Sequence, residues 1–145
     1  QRREAFRLLQ AYSDRFALTW DISPPALVAR ERARQEMQAK VAGVLGSGEL
    51  FTAWMRGDGA DYGRTVEFVA RQGLPASAAL AVLQIKDDLT LRRLELSAGE
   101  ALSPAALEAR RALVEQTRQR LLGVLGAAGM QAAGPDVLGW LPPPK

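Results

Sequence analysis

The sequence predicts an all-α protein: an antiparallel helical bundle of five to six helices, three of them long, followed by an irregular C-terminal tail. Three observations predict it. Every apolar periodicity in the chain has helical spacing, and no alternating strand pattern or hairpin turn competes with it. Two Ser-Pro pairs, Ser23-Pro24 and Ser103-Pro104, each combine an N-cap residue with a proline suited to the first helical position. Glycines stand where the periodic runs stop, as helix C-termini require.

The elements follow in order. Ala5, Leu8, Leu9, Tyr12 and Phe16 line one face of a first helix. The stretch Leu18–Ile22 reads as a connection. Ser23-Pro24 starts a helix running to about Leu45, with Ala26, Ala29, Ala33, Met37, Val41 and Val44 on its buried face, and Gly46-Ser47-Gly48 stops it. A short amphipathic helix follows over Glu49–Arg56, carrying Leu50, Phe51 and Trp54. After the Gly57-Asp58-Gly59 loop, a helix over Ala60–Gln72 turns Tyr62, Val66 and Val69 inward and ends at Gly73. The stretch Ala76–Ser97 carries Ala78, Val82, Ile85, Leu89 and Leu96 on one stripe. Leu80, Leu83, Leu91 and Leu94 widen that stripe, which predicts burial on more than one side. Ser103-Pro104 opens the last long helix, to about Leu125, anchored by Leu107, Val114, Leu121 and Val124. The glycines and prolines of Gly134–Pro144 rule out a regular helix in the tail. The expected organisation is a helical domain over residues 1–128 and a Pro/Gly-rich tail over 129–145, packed on the bundle or on a partner.

An internal repeat runs through this pattern. Residues Ile22–Gly46 align with Leu102–Gly126 at an offset of 80 without a gap, and 10 of 25 positions are identical. The matches include Ser23/Ser103, Pro24/Pro104, Leu27/Leu107, Arg30/Arg110 and the whole quartet Gly43–Gly46 against Gly123–Gly126. One reading is a pair of pseudo-symmetric helical hairpins with close helix–helix approach at Gly43 and Gly123. The other is convergent capping grammar in an alanine- and arginine-rich composition.

Composition excludes several function classes. The 145 residues suit one domain, and the 48% hydrophobic content supplies a core. There is no cysteine and no histidine, so disulfides, thiol catalysis, Cys/His zinc sites, His-ligated haem and His-based triads are out. No apolar run reaches the roughly 20 residues of a membrane span. The chain opens Gln1-Arg2-Arg3-Glu4 with no apolar stretch of a signal peptide, which leaves an anchor upstream of Gln1 open. Net charge is +3, modest against the concentrated positive face of a nucleic-acid module.

The order of short motifs resembles a known family. A helix opening Ile22-Ser23-Pro24 or Leu102-Ser103-Pro104, then Leu45-Gly46, Phe51, Trp54, Asp61-Tyr62 and Gly73-Leu74-Pro75, is similar to the extracytoplasmic LTxxQ-type helical proteins of bacteria, the Spy and CpxP group, and closer still to uncharacterised relatives. The chain departs from that family where L-T-x-x-Q is replaced by Ile22–Ala26 and Leu102–Ala106, with no glutamine. The family's metal sensing, which leans on histidine, does not carry over. The resemblance implies a helical cradle, an envelope location and protein partners.

Each chemical constellation has a plainer competitor. Asp58 and Asp61 around Gly59 lack the regular oxygen spacing of a calcium loop and read as helix caps. Asp87 and Asp88 read as surface pairs with Arg92 and Arg93. The tripeptide Arg56-Gly57-Asp58 spells an adhesion motif but reads as a turn with a cap. The arginine clusters Arg2/Arg3/Arg7, Arg30/Arg32/Arg34 and Arg110/Arg111/Arg118/Arg120 interleave with glutamates and lack alternating stacking aromatics, which favours a salt-bridged face over a phosphate track. Gly43–Gly48 and Gly123–Gly129 have no phosphate-loop sequel. No catalytic, metal or cofactor residue is assigned. The candidate interaction residues are Trp20, Phe51, Trp54, Met55, Trp140 and Leu141, with Trp140 either capping the bundle end or anchoring in a partner.

The expected function is a non-enzymatic protein-interaction domain, chaperone-like or stress-sensor-like in the bacterial envelope, with protein partners or self-association and no nucleic acid. It calls for a concave apolar patch rimmed by arginine. The alternative is an accessory subunit of a larger assembly, docking through an exposed tail at Val137–Leu141 and the Trp54 patch.

Overall fold

The computed structural model describes residues 1–17, 20–46, 48–58, 60–99 and 102–143, with the side chains of these apart from residues 56–60. The structure is all-α. Among the described residues there are seven helices: α1 (Arg2–Phe16), α2 (Pro24–Leu45), α3 (Glu49–Asp58), α4 (Ala60–Arg71), α5 (Ser77–Ser97), α6 (Pro104–Ala132) and α7 (Pro135–Leu138). The one beyond expectation is α7, a single turn in the tail that opens on Pro135 at the first helical position.

The starts and stops obey local chemistry. The Ser103 hydroxyl accepts the Ala106 N–H at 3.1 Å, satisfying one of the orphan donors of α6. Ser23 makes no such side-chain cap; its own N–H donates to the Asp21 carboxylate at 2.8 Å. Gly46 ends α2 at φ 74, ψ 169, and Gly126 breaks α6 at φ 73, ψ 170. This backbone region belongs to glycine. Helical geometry resumes after Gly126 and carries α6 to Ala132, across the expected boundary at 128.

Three long helices lie side by side. Arg34 of α2 meets Asp87 of α5 at 2.9 Å, and Arg32 reaches Glu95, so α2 and α5 run antiparallel. Arg110 of α6 reaches Ser97 and Arg120 reaches Asp88, so α5 and α6 run antiparallel too. Helix α1 folds back on α2, with the Arg30 guanidinium over the Phe16 ring. The packing order is therefore α1–α2–α5–α6. The α3–α4 pair packs across α2 and α5, and α7 returns onto α4. The central place of α5 explains its wide apolar face: Ala78, Val82, Ile85 and Leu89 are buried while Leu80, Leu83, Leu91 and Leu94 are half-buried.

The core gathers Met37, Val41 and Leu45 of α2, Phe51 and Met55 of α3, Tyr62, Phe68 and Val69 of α4, the inner stripe of α5, and Leu121 and Leu125 of α6. Phe51 meets Tyr62 edge-on at 5.6 Å between centroids, a favoured aromatic geometry.

Three expectations are corrected. An added Cβ at Gly43 or Gly123 would meet nothing within 4 Å, so the helices do not approach closely there. The buried stripe of α6 is Leu113, Thr117, Leu121 and Leu125, which leaves Leu107 exposed and Val114 half-buried. Asp87 turns inward to Arg34 rather than outward to a neighbour on its own helix, because its position falls on the leucine stripe that faces α2. Asp88 does pair with Arg92, at 3.2 Å.

Candidate functional site

The repeat extends beyond the aligned helices. The buried residues Ala33, Met37, Val41 and Leu45 of α2 stand at an offset of 80 from Leu113, Thr117, Leu121 and Leu125 of α6. Between α1 and α2 a cleft is lined by Leu8, Tyr12, Ala33, Glu36, Met37 and Lys40, among others. Between α5 and α6 a cleft is lined by Asp88, Arg92, Leu113, Gln116, Thr117 and Arg120, each 80 residues on. The hairpins α1–α2 and α5–α6 are thus packed in the same register, residues 2–46 against 82–126.

That equivalence gives α6 a face without a helix on it. In α2, one face receives α1 and the opposite face receives α5. In α6, the first of these faces receives α5. The second carries Arg111, Val114 and Glu115, the counterparts of Glu31, Arg34 and Gln35, with Leu107 and Arg118 beside them, while Arg110 lies toward α5, where it meets Ser97. There the structure has a groove of about 690 Å³, closed by Arg93 of α5 and by Pro142 and Pro143 of the tail. Leu107, Val114 and the prolines form its apolar floor. Arg93, Arg110, Arg111 and Arg118 line the groove as well, with Arg118 3.8 Å from Glu115 and Arg111 3.9 Å from Glu108. Arg118 donates to the Pro142 carbonyl at 3.0 Å, which ties the tail to the groove's end.

On α2 the same face is polar in a different way. Arg34 bridges Glu31 at 2.6 Å and Asp87 at 2.9 Å, and Gln35 donates to the Asp87 carbonyl at 2.7 Å. Burial pushes the Glu31 carboxyl up, but hydrogen bonds from Arg34 and Gln35 and the Arg34 charge bring it below its ordinary value. Burial holds the Asp87 carboxyl above its ordinary value in spite of Arg34. The Arg34 guanidinium is held above its ordinary range by the hydrogen bonds it donates to Glu31, against its own burial, with Asp87 adding to the effect.

The chain was compared with known families, curated proteins and solved structures. None matches it.

The structure places the expected interaction residues apart. Trp20 is 89% exposed in the connection before α2. Phe51 is 1% exposed and Met55 6%, so both are core residues with no side-chain surface to offer a partner. Trp54 is half-buried against the core, its ring stacked 6.2 Å from that of Phe51. Trp140 and Leu141 are half-buried against the core as well, and the Trp140 indole donates to the Val137 carbonyl at 2.9 Å. Val137 is buried, so the tail is seated on the bundle. The side chains of Arg56, Gly57 and Asp58 lie outside the described ones, as does Gly59. Asp61 falls in the first turn of α4, where negative charge is favoured, and lies 3.6 Å from Lys86.

The arginine clusters do not converge. Arg2, Arg3 and Arg7 sit on α1 and the last cluster on α6, at opposite edges of the row. Among the described residues no helix is long and apolar enough to cross a membrane, and no cluster of three metal-type ligands occurs. The residues missed by sequence reasoning are Leu107 and Val114, read as core anchors, and the arginines beside them, read as a solvated face. The available signal was the repeat: it aligns Arg34 with Val114 and Glu31 with Arg111 and so shows the two faces to be chemically different.

Proposed function

We propose that this chain is a non-enzymatic helical protein-interaction domain, chaperone-like or stress-sensor-like, acting in the bacterial envelope. The observation that carries the reading is the arginine-rimmed apolar groove on α6. An apolar floor supplies affinity on desolvation, and guanidinium groups around it supply orientation and choice of partner. The envelope location rests on the family resemblance alone. The seated tail counts against an accessory subunit held through Val137–Leu141.

The test is photo-cross-linking in the native host, with a photoreactive residue at Val114 and, as control, at Gln10 on α1. Protein adducts at 114 and none at 10 support the reading. One stoichiometric adduct favours a sensor, and many unrelated ones favour a chaperone. Equal labelling at both positions, or no protein adduct at 114, overturns it.

A further inference from the structure

The geometry points to an acidic amphipathic helix as the occupant of the α6 groove, lying on α6 as α5 lies on α2. This inference rests on the interaction reading above and adds the chemistry of the partner.

Helix α5 meets α2 at Asp87, which falls on a half-buried stripe with Leu80, Leu83, Leu91 and Leu94; Leu83 also lines a cavity with α4 and α7. Its carboxylate at 87 meets Arg34, and Glu95, one position past the stripe, meets Arg32. The groove on α6 keeps apolar positions at Leu107 and Val114 and places guanidinium groups at 110, 111 and 118, two of them loosely paired with Glu108 and Glu115, with Arg93 of α5 alongside. Residues 107–118 span about 17 Å of helix, or three turns. A helix with leucines spaced as in α5 and carboxylates on its flanks fits that length and that charge.

The same repeat argues against a second copy of this chain. Stacking head to tail would bring α1 of the next copy onto α6, in the place of α5. The positions of α1 that match the α5 stripe are Arg3, Arg7, Ala11 and Asp14. All four are exposed. Two arginines would face an arginine groove across an interface with little apolar content, and like charges so placed cost affinity. The outward stripe of α1 is thus polar, as in terminal repeats, with Phe6 and Leu9 exposed beside it. Helix α6 is the unfinished end, with the two tail prolines covering only part of it.

The test uses the full chain and two designed 20-residue helical peptides. One carries the leucine stripe with glutamates on its flanks; the other has lysine in place of every glutamate. Titration is followed by amide chemical shifts and calorimetry. The acidic peptide is expected to bind saturably, with shifts concentrated at Leu107, Val114 and Pro142–Pro143 neighbours. The variant R93E/R111E is expected to lose at least 10-fold in affinity for it and to gain affinity for the basic peptide. Arg111 serves this purpose because its side chain is 77% exposed. The inference is overturned by no saturable binding, by shifts confined to another face, or by equal affinity in the variant. It is also overturned if Val114→Glu abolishes a concentration-dependent dimer of the wild type, which would make a second copy the occupant. Displacement of the acidic peptide by a DNA or RNA oligonucleotide overturns it as well. Protein adducts at position 114 together with no acidic-peptide binding would leave the interaction reading standing and remove only this one.

Discussion

Alanine at Gly46 and at Gly126 tests whether the two hairpins share one geometry. Both glycines sit near φ 74 with ψ near 170, and an added Cβ at either would meet nothing within 4 Å. Sterics with neighbours therefore contribute nothing, and the whole cost is the backbone conformation. For a residue other than glycine that region costs about 1–3 kcal/mol. Three residues earlier, Gly43 and Gly123 lie inside helices, again with open space around the missing Cβ. There alanine gains about 0.5–1 kcal/mol through helix propensity. Four single variants thus divide by sign within one turn of helix. Gly46→Ala and Gly126→Ala are expected to lose about 2 kcal/mol each, close to 6 °C in Tm for a domain of this size. Gly43→Ala and Gly123→Ala are expected to gain up to about 1 kcal/mol. The assay is urea unfolding followed by far-ultraviolet circular dichroism, with slopes compared to exclude a change in the unfolded state. A cost under about 0.5 kcal/mol at either Gly46 or Gly126 refutes the shared terminal geometry. A loss at Gly43 or Gly123 refutes the open space assigned to them.

Three further outcomes are expected. Arg34→Ala leaves Glu31 and Asp87, whose side chains are 13% and 16% exposed, without their common partner and costs about 2 kcal/mol, measured by the same unfolding. Asp87→Asn tests the sign of a titration. A carboxyl raised in the folded state binds protons that the unfolded chain releases, so the contribution of Asp87 to wild-type stability grows as pH falls from neutral toward about 4. The stability of Asp87→Asn relative to wild type is therefore expected to be more favourable at pH 7 than at pH 4, and the opposite order would refute the assignment. Trp20→Phe is expected to remove most of the iodide-quenchable tryptophan fluorescence, since Trp54 and Trp140 are half-buried; unchanged quenching would place another tryptophan at the surface.

Much of the architecture was legible because helix starts and stops are local chemistry. Ser23-Pro24, Ser103-Pro104, Gly46, Gly73 and Gly126 act through their own backbones and immediate neighbours, so reading them needs no tertiary knowledge. The wide stripe of Ala76–Ser97 was legible for a related reason: leucine on two faces demands two neighbours. The rotation of α6 was not. Leu107 and Val114 recur at a spacing of seven and Leu113, Thr117, Leu121 and Leu125 at four, and only the packed partner decides which set is buried. Thr117 in the core also breaks the apolar pattern, its hydroxyl satisfied by the Leu113 carbonyl at 2.8 Å. The first helix of the repeat stayed hidden because α1 is an edge and α5 a centre. Over the span where they correspond, Leu9 and Leu89 share an identity but not an environment, one at the surface and one in the core. The groove was unreadable for the same reason, since its arginines look like any solvated face until the missing neighbour is noticed.

The row of hairpins also bears on how the chain reaches its folded state. In each hairpin, helices joined by a short connection pack on one another, so the first contacts close small loops at little entropic cost. During synthesis residues 2–46 can pair before α5 exists, and α5 finds α2 already waiting with Arg34 in place. The groove on α6 is completed after the hairpins, once Pro142 and Pro143 follow α6. By then α5, the chain's own leucine stripe with its central carboxylate, is seated between two neighbours and cannot compete for it.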